Sequence, residues 1–308
     1  MDLTVGEKSP TSFPTFLDSF ALKIIAIVCM TLDHIARLVI STFAVVNETG
    51  LFKLCLALII VGRIAFILFS FLCVKSMAHT RSRPKYLLRL GIMTLLIGGM
   101  LCLTQYVFKI EQMNNIFLTL FLGGLVIYLL ENKRVWAKPL AILPFIYVAL
   151  TTFYRSELSS VLYPELLLPQ YEFYGLLMIF AIYLSQKAYK LVLDMHDNNI
   201  GNASGTTASL PQNQLLLNTL ALLAIVVVNV FAWGISFLTE STFFVGFGGT
   251  LITGNNVQFY SLLSLPIIFC YNEQVGYNKK WFKYFTYAYY PLHILVSVII
   301  IYVISMTL

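Results

Sequence analysis

Apolar residues along this chain come in blocks of about 17–25, the length that crosses a hydrocarbon core about 30 Å thick. About nine such spans are predicted: Phe20–Val46, Leu51–Met77, Tyr86–Phe108, Asn115–Leu130, Pro139–Thr152, Tyr171–Leu193, Leu215–Leu238, Val257–Tyr271 and Phe282–Met306. The blocks lack the period-2 alternation of a barrel. The prediction is therefore an all-α, polytopic integral membrane helical bundle, forming a single membrane-embedded domain over residues 1–308. The fifth and eighth spans are short. The stretch Phe243–Thr253, with Gly246, Gly248 and Gly249, is too short to cross and reads as a re-entrant or interfacial piece. From Asp194 to Gln214 the chain is rich in Asn, Gly, Ser and Thr, which predicts a flexible cytoplasmic loop.

Composition agrees with this pattern and excludes a soluble domain. Of 308 residues, 59% are hydrophobic and 11% charged, against about 25% charged in soluble domains. The charges also orient the chain. Loops after spans two (Arg81, Arg83, Lys85), four (Lys133, Arg134, Lys138), six (Lys187, Lys190) and eight (Lys279, Lys280, Lys283) are basic. Those after the odd spans are neutral or acidic, as with Glu157, Glu165 and Glu172 beside Arg155. By the positive-inside rule this alternation places the N-terminus inside and the C-terminus outside, in a multi-pass protein of the cell (inner) membrane. The net charge of +6 reflects those loops and gives no signal for nucleic acid. The first twenty residues lack the basic and apolar regions of a cleavable signal, so span one reads as a retained anchor. Five cysteines all fall inside apolar runs without disulfide or metal spacing, and no metal site is predicted.

Against this apolar background a few ionisable residues stand out. Asp33 and His34 adjoin inside span one, Arg63 lies mid-way along span two, and His293 lies mid-way along span nine. Lipid offers such groups no water, so they face a protein interior or cavity and are functional candidates. At 1.5 Å per residue all four converge on one layer near the midplane. Helical neighbours point about 100° apart, so Asp33 does not orient His34 directly. Its partner is instead Arg63, Arg37 or His293. A buried ion pair that only fixes helix packing remains an open reading for Asp33 and Arg63. The imidazoles of His34 and His293 suit proton transfer.

A second group is His79-Thr-Arg81-Ser-Arg83-Pro84-Lys85-Tyr86, continuing to Arg89, where spans two and three join. It reads either as plain positive-inside topology or as an anion site. In the second reading Arg81, Arg83 and Lys85 sit at a helix N-terminus near Pro84, with Tyr86 and Arg89 on one face. Span nine carries a polar stripe, Tyr287, Tyr290, His293 and Ser297, with Pro291 able to kink it. Asn115, Tyr171 and Tyr174, at the outer starts of spans four and six, complete the candidates.

Five stretches together resemble the TraX family of membrane proteins, which includes the conjugative F-pilin N-acetylase. They are LKIIAIVCMTLDHIARL, GRIAFILFSFLCVKSMAHTRSRPKYLLRL, NIFLTLFLGGLVIYLL, YEFYG and YYPLHILV. The matching blocks follow the family's order and cover most of the chain except Asp194–Gln258. Asp33, His34, Arg63, Arg81, Arg89 and His293 fall on matching positions. Two departures are Phe66-Ile67-Leu68-Phe69, where members carry a proline, and Gln170, where members carry Asp.

The resemblance implies acetyl transfer from cytoplasmic acetyl-CoA to an amine or hydroxyl of an acceptor reached from the outer face, a peptide N-terminus or an envelope glycan. In that scheme His79, Arg81, Arg83, Lys85, Tyr86 and Arg89 hold acetyl-CoA, and Asn115, Tyr171, Tyr174 and Tyr290 meet the acceptor. His34 is the base, and Asp33, Arg63 and His293 set its protonation or steady the oxyanion; an acetyl-imidazole on either histidine is the variant mechanism. A proton-coupled transporter using the same Asp and His residues is the alternative. Against it stand the lack of an inverted repeat and of paired Gly/Pro-broken spans.

Overall fold

Asp18 opens the first helix by accepting the Ala21 N–H at 2.7 Å, and Thr49 opens the second by accepting that of Phe52 at 3.2 Å. Between such caps the apolar runs wind into long helices, as lipid requires of every buried peptide group. The computed structural model describes residues 15–43, 49–108, 115–161, 164–204, 214–239 and 254–307. The long helices are α1 (Ser19–Thr42), α2 (Gly50–His79), α3 (Arg83–Phe108), α4 (Ile116–Leu130) and α5 (Ile142–Phe153). Two short ones follow, α6 (Arg155–Ser159) and α7 (Pro164–Leu167), then α8 (Glu172–Ser204), α9 (Gln214–Thr239), α10 (Leu265–Phe269) and α11 (Lys280–Thr307). No strand occurs among the described residues, only two isolated bridges.

Five of the described segments are long and apolar enough to cross a membrane: Gly50–His79, Arg83–Val107, Val135–Phe153, Glu172–Met195 and Gln214–Leu238. The nine predicted spans fit the described elements, each starting within a few residues of an observed helix or 3₁₀ segment. α1 runs for 24 residues but carries Lys23, Asp33 and Arg37. Its packing against α2 and α11 buries Asp33, while Lys23 is half-buried and Arg37, half-exposed, pairs with Asp33. The lipid-facing side is apolar, as with Leu88, Leu95, Leu96 and Leu103 of α3, all exposed.

The short eighth predicted span is wound more tightly than an α-helix over most of its length. Gly254–Ser264 forms a 3₁₀ helix of 11 residues, followed by the 5 residues of α10. With about 2.0 Å of rise per 3₁₀ residue and about 1.5 Å per α residue, the two reach about 30 Å. The span's apolar part, Val257–Phe269, is shorter than the five segments long enough to cross.

Two structural findings correct the reading of the loops. α8 continues to Ser204, about one-half of the way through the predicted flexible loop 194–214; no proline interrupts the chain between Pro169 and Pro211. Residues 205–213 of that loop, and the predicted re-entrant stretch Phe243–Thr253 up to residue 253, lie outside the described residues. The second finding is depth. Asn115 donates to the Thr94 carbonyl at 2.8 Å, about eleven residues and so about 16 Å along α3. α4 therefore starts part-way through the bundle. The segment carrying α6 and α7 folds back to the same depth: Leu166 packs at Gly98 of α3, and Pro169 bridges to Asn115. Asn115, Tyr171 and Tyr174 are consequently seated inside the bundle rather than at an outer mouth.

Candidate functional site

Four ionisable residues from three helices meet in the buried middle of the bundle: Asp33, His34, Arg63 and His293 are each 4–7% exposed. The neighbouring pair diverges, as the 100° step demands. Asp33 turns to α2, where it pairs with Arg63, and it also accepts from Arg37 Nε at 3.2 Å one turn on. Arg63 also donates to the Ile59 carbonyl at 3.3 Å and to Gln258 Oε1 at 3.4 Å. Gly62 makes this approach possible, because a Cβ there would strike the Asp33 side chain.

His34 turns to α11. Its Nδ1 lies 2.8 Å from His293 Nε2, and the ring planes are parallel within 5° with centroids 5.1 Å apart, so the two rings meet edge to edge. His293 Nδ1 donates to the Tyr289 carbonyl at 2.9 Å. One turn away Thr31 and the Tyr289 hydroxyl, 2.9 Å apart, tie the same two helices. The Tyr290 ring stands edge-on to both imidazoles, at 5.9 Å from His34 and 5.5 Å from His293.

Tyr290 is also the floor of a cavity of about 420 Å³, within the size range of small-molecule sites. Its mouth holds Lys23, His79 and Arg89, its walls include Tyr86, Tyr287 and Cys73, and its depth reaches Ile116 and Phe117. The Phe117 ring meets Tyr290 edge-on at 5.1 Å. The cavity thus runs from a basic end of the bundle to the aromatic residue that covers the histidine pair.

The predicted anion-site residues divide. His79, Tyr86 and Arg89 line the cavity. Arg83 leaves it: Nε donates to the Met77 carbonyl at 3.1 Å, and the guanidinium sits 3.7 Å from Glu131 in a separate cleft. Glu131 also pairs with Lys187 and accepts from the Tyr183 hydroxyl at 2.7 Å. Burial opposes ionisation of Glu131, but the Lys187 and Tyr183 hydrogen bonds and the nearby cations hold it below the usual glutamate value. Arg81 and Lys85 are exposed and outside the cavity wall.

The predicted acceptor residues are engaged in structure. Asn115 caps α4 by accepting the Phe117 N–H at 3.0 Å while its amide nitrogen holds α3. Tyr171 stacks on Phe66 at 3.7 Å. The Tyr174 hydroxyl lies 3.3 Å from Asn229 Oδ1 and 3.2 Å from Ser261, joining α8, α9 and the 3₁₀ segment.

Several site residues were not singled out from sequence. Asn229 sits fully buried amid the apolar run of α9, a visible signal of a polar group at membrane depth. Gln258 and Ser261 lay in the weakest span. Glu172 looked like an acidic loop residue, yet it is 3% exposed, pairs with Arg155 and has φ +45°, a backbone region seldom used by non-glycine residues.

A cavity that ends on a buried polar layer between packed apolar helices defines a polytopic membrane protein with an enclosed polar centre. The TraX protein family matches over residues 19–301, so the chain belongs to that family, one associated with pilin modification. No curated protein and no solved structure matches the chain significantly.

Proposed function

We propose that this protein is an acyltransferase of the cell membrane that moves an acetyl group from acetyl-CoA to an amine or hydroxyl acceptor. The observation that carries this reading is the cavity with cations at its mouth and Tyr290, against His34 and His293, at its floor. With the N-terminus inside, that mouth faces the cytoplasm and its acetyl-CoA. Arg89, His79 and Lys23 receive the phosphates, with Arg81 and Lys85 adding long-range attraction from the rim. The pantetheine arm is thin enough to follow the Tyr86 and Tyr287 wall towards the buried layer.

There the chemistry needs a base for the acceptor and a positive partner for the carbonyl oxygen as negative charge develops. His34 serves as the base. The Asp33–Arg63 pair holds the layer's charge in place, with Arg63 and Arg37 offering more positive than negative charge around one carboxylate. The acceptor, a peptide N-terminus or an envelope glycan, approaches from the outer end past Tyr171. The family's association with pilin favours a peptide.

Binding of labelled acetyl-CoA to the detergent-purified protein is the test, with transport assayed in parallel in proteoliposomes. Saturable binding that Arg89→Ala weakens, and turnover that His34→Ala abolishes without loss of folding, are the expected results. Proton-coupled flux without acetyl-CoA binding would favour the transporter instead. Mass spectrometry of envelope material and secreted peptides with and without the protein then identifies the acceptor by a lost acetyl mass.

A further inference from the structure

The histidine pair carries more information than its proximity. A backbone carbonyl can only accept a hydrogen bond. His293 Nδ1, at 2.9 Å from the Tyr289 carbonyl, must therefore bear a proton. A neutral His293 then presents Nε2 as a bare lone pair, and that nitrogen faces His34 Nδ1 at 2.8 Å. A bare nitrogen needs a donor, so His34 carries its proton on Nδ1.

The alternative is a doubly protonated His293. That would add a third positive charge to a layer where Arg63 and Arg37 already share the single carboxylate of Asp33. At membrane depth such an addition is unfavourable. The neutral arrangement satisfies every hydrogen bond observed in the pair.

We infer that Tyr289 and His293 form a fixed relay that holds His34 as its Nδ1–H tautomer, leaving His34 Nε2 as the lone pair that takes the acceptor's proton. This rests on the acyltransferase reading and assigns the two histidines different parts. His34 is the base, and His293 is a positioning residue rather than an acetyl carrier, since its Nε2 is occupied by His34. In the step itself the acceptor nitrogen or oxygen bonds to the acetyl carbonyl carbon as its proton passes to His34 Nε2. The carbon–sulfur bond then breaks, and the departing CoA thiolate takes that proton back. The imidazolium formed in between is steadied by its Nδ1–H bond to His293, whose own Nδ1–H rests on the Tyr289 carbonyl.

The first test is spectroscopic and independent of turnover. The chain holds four histidines. In ¹⁵N-histidine spectra, ring signals are assigned by their loss in His34→Gln and in His293→Gln. Protonated Nδ1 and bare Nε2 on both rings are expected at neutral pH; an Nε2–H tautomer on either ring overturns the assignment. The second test uses acetyl transfer from labelled acetyl-CoA into envelope material. The amide oxygen of His293→Gln can take the place of Nε2 and accept from His34, so this variant keeps activity within about tenfold of wild type, whereas His293→Ala loses about 10²-fold or more. Equal loss in two folded variants, full activity in His293→Ala, or label trapped on His293 each overturns the relay. If the wild type binds no acetyl-CoA, the acyltransferase reading falls, while the ¹⁵N pattern still decides the tautomers by itself.

Discussion

The middle of the bundle and its basic end both gather charge, and they hold it by different rules. In the middle, Asp33, Arg63, His34 and His293 are almost fully enclosed, and each has named partners on another helix. At the basic end Arg81 and Lys85 stand in solvent, while Arg83 has moved to Glu131 and only His79, Tyr86 and Arg89 join the cavity. Without water, an unpaired charge costs several kcal/mol, so helix packing must give each of these four residues a partner. Water leaves cations free to choose among partners at little cost. The buried layer is thus specified residue by residue, and the end is specified mainly by its sign.

The sharpest way to break this contrast is to remove one member of the buried ion pair. Arg63→Ala strands the Asp33 carboxylate with only the half-exposed Arg37 beside it. A loss of about 3–5 kcal/mol is expected, read as a large drop in the thermal midpoint in detergent. A midpoint near wild type would mean that the layer is hydrated. Gly62→Val should cost less, about 1–3 kcal/mol, because its added carbons collide with Asp33 and push α1 from α2.

At the other end, effects should be smaller and separable. Arg89→Ala, in the cavity mouth, is expected to weaken acetyl-CoA binding about tenfold, and Arg81→Ala, on the rim, several-fold less with a stronger dependence on salt. Equal effects in a titration at two ionic strengths would count against the cavity as the nucleotide's seat. The smallest change concerns Glu131. Its folded value lies below the ordinary 4.5, so its contribution to stability is present above that pH and disappears as pH falls through the folded value. Glu131→Gln should flatten that acid limb of a melting-temperature profile, lowering the neutral midpoint slightly while the two profiles converge at acid pH. An unaltered acid limb would remove Glu131 from the account.

Much of the scaffold was readable because lipid imposes one simple demand, a run of apolar residues per crossing. α2, α3 and α9 fall within a few residues of their predicted limits. Misplaced features are those where depth departs from sequence position. Asn115 begins a helix, and a helix start normally lies at the membrane face; here the α6–α7 segment fills the space above it. Glu172 reads in the sequence as a loop charge because nothing local announces that it is buried and paired with Arg155. The eighth predicted span departs from a plain α-helix, since Gly254–Ser264 winds as a 3₁₀ helix with a larger rise per residue.

The amino-acid order alone determined that the chain crosses a membrane as helices and that Asp33, His34, Arg63 and His293 lie at one depth. Both follow from local hydrophobicity and a constant helical rise. Only the tertiary structure decided that Asp33 meets α2 while His34 meets α11, and which basic residues line the cavity. Those outcomes depend on how each helix is rotated about its own axis, and rotation is set by close contacts such as Gly62 against Asp33 and Thr31 against Tyr289, between residues far apart in the chain.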